Sequence, residues 1–241
     1  DGTFTQLDGY YSLGSRDVGF SSDGQFFSAI ASQDWTVDQT SVWNTLDWSI
    51  ASRFSVGSSR DYRLTGFELA PDLQTAAISI VDSTGRYDHD FIRIVTYPDG
   101  ELVTTLEPYD GQYRAFIVSV AYSPSGEMLA LLSEHYRETP HLRVWRTSDW
   151  QQLYTINVVP DQPRSGWAFN QQDSLVWSPD SSLLAVGVKD GSLQVFDATH
   201  GELLVTLPGH RMWATALAFS PDGRTLASCS LDGTIMLWGI R

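Results

Sequence analysis

His210, Ser228 and Asp232 are the residue types of a hydrolytic triad: an imidazole to take a proton, a hydroxyl to attack and a carboxylate to orient the ring. Two other groups could hold metal. Asp82, Asp88 and Asp90 offer hard oxygen ligands suited to Ca²⁺, but their spacing matches no established calcium loop and reads as solvated turn acids. His135 and His141 could meet Glu134 or Glu138 across a hairpin as a zinc site, again without a recognised spacing. Cys229 is the sole cysteine, which rules out an internal disulfide and an all-cysteine metal site; a small buried hydrophobe is the better reading. No metal or cofactor is therefore expected. A glycosidase would need two facing carboxylates about 5–9.5 Å apart around a pocket, and sequence does not show such a pair.

The elements that position these residues come from a repeat. An aromatic residue followed by a turn recurs as FSSDG from Phe20, FELAPD from Phe67, YSPSG from Tyr122, WSPDS from Trp177 and FSPDG from Phe219. The spacings are 67−20 = 47, 122−67 = 55, 177−122 = 55 and 219−177 = 42, around the ~40–45 residue period of four-stranded repeat modules. Ala214 to Phe219 reads as a buried strand, Ser220 to Gly223 as a turn, Thr225 to Ser230 as the return strand, Asp232-Gly233 as a two-residue turn and Ile235 to Trp238 as a third strand. Fourth strands are predicted at Trp48 to Val56, Gly100 to Leu106, Trp150 to Ile156 and Gly201 to Leu207.

Gly209-His210, FSPDG, LASCS, Asp232-Gly233 and Trp238 together resemble one module of the WD-repeat family of β-propellers, with Gly239 where the family has Asp. The resemblance implies an all-β propeller of four-stranded blades; the five anchors count five of them, where the family commonly has seven, within one domain spanning residues 1–241. It also recasts the triad. At matching positions the family has a buried tetrad tying the Gly-His loop to the second and third strands, so His210, Ser228, Asp232 and Trp238 are expected to be structural. The fourth blade departs, with Val186 and Phe196 at the Ser and Trp positions, and Tyr10 replaces the His of the first. The fifth blade lacks a following fourth strand. Asp1 to Leu7 reads like His200 to Leu207, so the ring is expected to close by pairing this N-terminal strand with the last three, the alternative being an excerpt of a longer propeller.

Nine Trp, ten Tyr and eleven Phe suit short pleated strands. No apolar run is long enough to cross a bilayer as a helix, so membrane insertion is not expected. A net charge of −14 spread over turns, without a basic stripe, tells against nucleic acid as a partner. The chain opens at Asp1 without a legible secretory leader, and the sequence assigns no compartment.

Loops between second and third strands are expanded in the first three blades and, by the family resemblance, share a face with the Gly-His loops. That face would gather Trp35, Tyr87, His89, Tyr109, Tyr113, His135, Tyr136, Arg137, Trp167 and Arg211, a mixture of rings and charge suited to an interface. Trp48 and Trp150 stand where other blades have Gly100 and Gly201, and mark a second surface suited to self-association. The function expected is a noncatalytic scaffold that binds a protein partner across the loop-rich face. The alternatives are a self-assembling subunit, and a carbohydrate-binding or glycoside-processing propeller.

Overall fold

One turn, repeated five times, follows the first strand of every sheet. In the computed structural model, which describes residues 18–33, 37–55, 61–85, 89–108, 115–135, 139–159 and 174–240, Ser220 N–H donates to Thr225 O at 2.7 Å and Gly223 N–H to Ser220 O at 2.8 Å. The same pair of bonds recurs at Ser21 and Gly24, Ala70 and Leu73, Ser123 and Gly126, and Ser178 and Ser181. The closing residue is left-handed each time, with φ of 70° at Gly24, 56° at Leu73, 75° at Gly126, 63° at Ser181 and 69° at Gly223. Glycine takes that conformation without a Cβ penalty; Ser181 holds it while its Oγ accepts the Ser125 N–H at 3.0 Å.

The chain divides into two units. Residues 1–109 carry two sheets, each in sequential order: β1 (Val18–Phe20), β2 (Phe26–Gln33), β3 (Val37–Asn44) and β4 (Ile50–Ser55); then β5 (Tyr62–Leu69), β6 (Thr75–Asp82), β7 (His89–Thr96) and β8 (Leu102–Leu106). Residues 110–241 carry three. The third sheet is β9 (Ala115–Tyr122), β10 (Met128–His135), β11 (His141–Arg146) and β12 (Gln152–Asn157). The fourth is β13 (Leu175–Trp177), β14 (Leu183–Gly187), β15 (Leu193–Asp197) and β16 (Leu203–Leu207). The fifth is β17 (Ala214–Phe219), β18 (Thr225–Ser230) and β19 (Ile235–Gly239). Neighbouring strands within each sheet are antiparallel. The fifth sheet has three strands among the described residues, and Asp1 to Leu7, predicted to complete it, lies outside them.

Two boundaries differ from the sequence reading. The second repeat's anchor is Leu69, not Phe67: Leu69 pairs with Ala76 as Phe219 pairs with Leu226, and the turn bonds follow it. Phe67 sits on the same strand face two residues earlier and is buried, so an apolar pattern alone does not separate them. The fourth strands start two residues later than predicted, at Ile50, Leu102, Gln152 and Leu203. Trp48, Gly100, Trp150 and Gly201 belong instead to left-handed turns with φ of 59°, 77°, 56° and 72°, beside a register shift in each hairpin.

Sheets bury their faces on one another within each unit. Ile30, Val42 and Phe54 pack with Leu64, Phe67, Ile78, Ile80 and Phe91 in the first unit. In the second, Leu132, Leu142 and Val144 pack with Trp177, Leu184, Val186 and Phe196, and the Trp177 indole N–H donates to Ala121 O at 3.0 Å. Ala185, Leu193 and Val195 then pack with Ala214, Leu217 and Leu226. Each buried aliphatic of this size contributes roughly 1.5–3 kcal/mol.

Candidate functional site

The loop entering the fifth sheet folds its histidine inward. His210 Nε2 lies 2.8 Å from Ser228 Oγ, which also accepts the Trp238 indole N–H at 3.0 Å. Nδ1 on the other side of the ring is 3.0 Å from Thr234 Oγ1 and 3.5 Å from Asp232 Oδ2. Asp232 Oδ2 accepts the Arg211 N–H at 2.7 Å, and Oδ1 accepts the Thr234 N–H at 2.9 Å. The Thr234 hydroxyl first, then the Arg211 amide, holds the Asp232 carboxyl well below the usual range. The structure thus brings His210, Ser228, Asp232 and Trp238 together and adds Thr234, which sequence reasoning missed. With Ser228 at 1% exposure, a substrate carbonyl has no approach to its hydroxyl.

Around this network the second unit assembles a rim at one end of its strands. The β14–β15 turn sits against the histidine loop: a Cβ on Gly191 would lie 2.3 Å from His210 O and 2.7 Å from Met212 O. On its other side, Lys189 Nζ from the same turn reaches Glu134 Oε2, near the end of β10, at 2.9 Å. Burial pushes the Glu134 carboxyl up, opposed by the lysine's hydrogen bond. Gln194 Nε2 donates to Val159 O at 2.8 Å, Ser230 Oγ to Met212 O at 2.9 Å, and Leu231 N–H to Trp213 O at 3.1 Å. Fixed by these bonds, Val159, Met212 and Leu231 remain 54%, 46% and 57% exposed, beside the exposed Arg211. None of the three apolar residues belongs to a periodic run, which is why sequence did not single them out.

The predicted face is described in part. Arg211 stands on this rim. His135 closes β10. His89 opens β7 in the first unit, 3.9 Å from Asp82 Oδ2 and with its ring 5.9 Å from that of Phe91. Trp35, Tyr87, Tyr109, Tyr113, Tyr136, Arg137 and Trp167 lie outside the described residues.

Asp82 is occupied as a turn brace. Burial pushes its carboxyl up, but it accepts the Thr84 N–H and hydroxyl at 2.8 and 2.6 Å, and these with the nearby His89 and Arg93 bring its pKa below the usual value. Asp90 is buried at 3% exposure, and Asp88 and Glu138 lie outside the described residues. Among the described residues no three His, Cys, Asp or Glu side chains are grouped to hold a metal ion. Trp48 is 36% exposed with its ring edge-on to Phe27 at 6.1 Å, and Trp150 is partly buried.

Comparison with known proteins places this architecture. A family model described as "WD domain, G-beta repeat" matches residues 201–239, and one described as "Anaphase-promoting complex subunit 4 WD40 domain" matches residues 120–213. WD repeat-containing protein VIP3 of Arabidopsis thaliana is 30% identical over 64% of this chain and 45% of its own length. Nuclear distribution protein PAC1 of Arthroderma benhamiae is 31% identical over 62% of this chain and 31% of its own. The chain spans less than half the length of these relatives. A solved chain of Kuenenia stuttgartiensis hydrazine synthase superposes with a TM-score of 0.71 at 13% identity, covering 92% of this chain and 70% of that one.

Proposed function

We propose that this chain, a member of the WD-repeat family of β-propellers, is a noncatalytic scaffold that holds a protein partner on the rim formed by Glu134, Val159, Lys189, Arg211, Met212 and Leu231. The observation that carries the reading is the exposure of Val159, Met212 and Leu231 on backbone held by the hydrogen bonds above. Apolar side chains on a fixed frame, flanked by an arginine, are the makings of an interface hot spot, because little ordering entropy is lost on binding.

The carboxylates support a noncatalytic role. Asp23, Asp180 and Asp222 are each held by a serine hydroxyl and a backbone N–H of their own turn, and their pKa values are lowered. A general acid needs the opposite shift. Glu134 has it, but its charge is matched by Lys189.

The test compares partner capture by the unaltered chain, by Met212→Asp with Leu231→Asp, and by a control, Leu46→Asp, at a turn residue that is 91% exposed. The rim reading expects the double variant alone to lose a protein bound by the other two. Equal capture by all three would sink it.

A further inference from the structure

The chain has three methionines, and the fold treats one of them differently from the other two. Met128 opens β10 and packs against the cluster that holds Leu132, Val144 and Phe196. Met236 lies in β19, where a Cβ on Gly209 would come within 2.7 Å of its sulfur, so its thioether is lodged against the loop that carries His210. Met212, two residues before β17, is 46% exposed.

Its backbone is nonetheless fixed. The Ser230 hydroxyl donates to Met212 O at 2.9 Å, Leu231 N–H donates to Trp213 O at 3.1 Å, and a Cβ on Gly191 would lie 2.7 Å from Met212 O. These bonds tie residues 212 and 213 to residues 230 and 231, so the exposed Met212 and Leu231 stand on adjoining backbone. The rim therefore sets a thioether beside a leucine, open to any small oxidant that solvent carries. Methionine is the one apolar side chain that such an oxidant converts reversibly into a polar one.

We propose that Met212 is an oxidative modification site whose sulfoxide turns the rim off. The co-reactant is a hydroperoxide, hydrogen peroxide in the simplest case. The thioether sulfur attacks one peroxide oxygen, and the S–O bond forms as the O–O bond breaks. Sulfur loses two electrons to the peroxide, whose other oxygen leaves with both protons as water. The product carries an acceptor oxygen where an apolar side chain stood. Seating it against an apolar partner strips that oxygen of water without supplying a donor, which weakens capture by about tenfold or more. Methionine sulfoxide reductases reverse the change: two thiols become a disulfide and the oxygen departs as water. For its effect on binding the inference rests on the rim reading; the oxidation itself does not.

The test treats the parent chain and Met212→Leu with rising doses of hydrogen peroxide, maps the oxidised residues by peptide mass spectrometry, and measures capture of the protein that the parent holds. Met212 should gain one oxygen at doses that leave Met128 and Met236 unchanged. Capture by the parent should fall about tenfold in step with that gain, and a methionine sulfoxide reductase should restore it. Met212→Leu should keep its capture at the same doses, which excludes the partly exposed thiol of Cys229 as the cause. Oxidation of Met128 or Met236 ahead of Met212 overturns the proposal. So does parental capture that survives full conversion of Met212, or an equal loss by Met212→Leu. Failure of the rim reading shows separately, without peroxide: Met212→Asp with Leu231→Asp then captures the partner as the parent does. That result takes the switch with it and leaves the peptide map to decide the modification site alone.

Discussion

Gly201→Ala separates two costs that usually come together, backbone strain and collision. The residue sits at φ 72°, and an added Cβ would lie 2.8 and 2.9 Å from Tyr154 Cδ2 and Cε2 and 3.1 Å from Ile156 Cδ1. The ring cannot swing aside freely, because Tyr154 Oη donates to Ala198 O at 2.6 Å. A left-handed alanine costs about 1 kcal/mol, and forcing a side chain into a packed site adds about 1–3 kcal/mol. The expected loss is therefore about 2–4 kcal/mol. Gly24→Ala is the matched control: φ is 70° there, and nothing lies within 4 Å of the added Cβ, so about 1 kcal/mol is expected. Trp48 and Trp150 hold side chains at φ 59° and 56° in turns matching that of Gly201, so the conformation by itself is tolerated.

Urea denaturation of both variants, with equal slopes, gives the comparison. In a Tyr154→Leu background the Gly201→Ala penalty should shrink toward that of Gly24→Ala, since the obstructing ring is gone. Equal losses for the two glycine variants in the parent chain would refute the reasoning, because strain would then account for everything.

Ser228→Ala should cost about 1–3 kcal/mol in urea denaturation, since it strands the Trp238 indole N–H and the facing nitrogen of His210. The lowered pKa values of Asp23, Asp180 and Asp222 place their stabilisation above the unfolded carboxylate value near ~3.9 and remove it as pH falls through the lower folded values. Urea midpoints should accordingly drop as pH falls below about 4, and a flat profile there would contradict the bracing role. Lys189→Met should cost about 1–3 kcal/mol at neutral pH by leaving Glu134 buried without its partner. Because the folded pKa of Glu134 is raised, that deficit should be small below the unfolded value and grow as pH rises through the folded one.

Sequence legibility followed the range of each interaction. The turn after each first strand was readable at Gly24, Gly126 and Gly223 because its requirement, positive φ, is met by one residue's own chemistry. It was less readable at Ser181, whose Oγ accepts a hydrogen bond from Ser125, 56 positions away in sequence. The histidine network was legible because its members sit at fixed steps around one hairpin. Thr234 escaped because a threonine after a turn glycine signals nothing until His210 is folded against it. Val159, Met212 and Leu231 escaped for a different reason: exposure on a rim is decided by what fails to cover a residue, and no local pattern records that.

The fourth and fifth sheets show why the hydrogen-bonded brace and the rim are separable. Val186 and Phe196 occupy the positions of Ser228 and Trp238, and at 0% and 2% exposure they belong to the cluster that includes Leu142 and Leu184. A sheet of this chain is thus held either by a satisfied polar network or by apolar packing, as expected when a buried polar set contributes little net stability over a well-packed apolar one. Yet the fourth sheet keeps its turn acid, with Asp190 Oδ1 accepting the Ser192 hydroxyl at 2.6 Å, and that turn still seats against His210 O. What the two sheets share is the turn geometry that fixes the rim, while the means of holding the strands together is exchangeable. On the proposed reading, binding at the rim depends on the turns, and loss of the histidine network should register first in stability and only through it in partner capture.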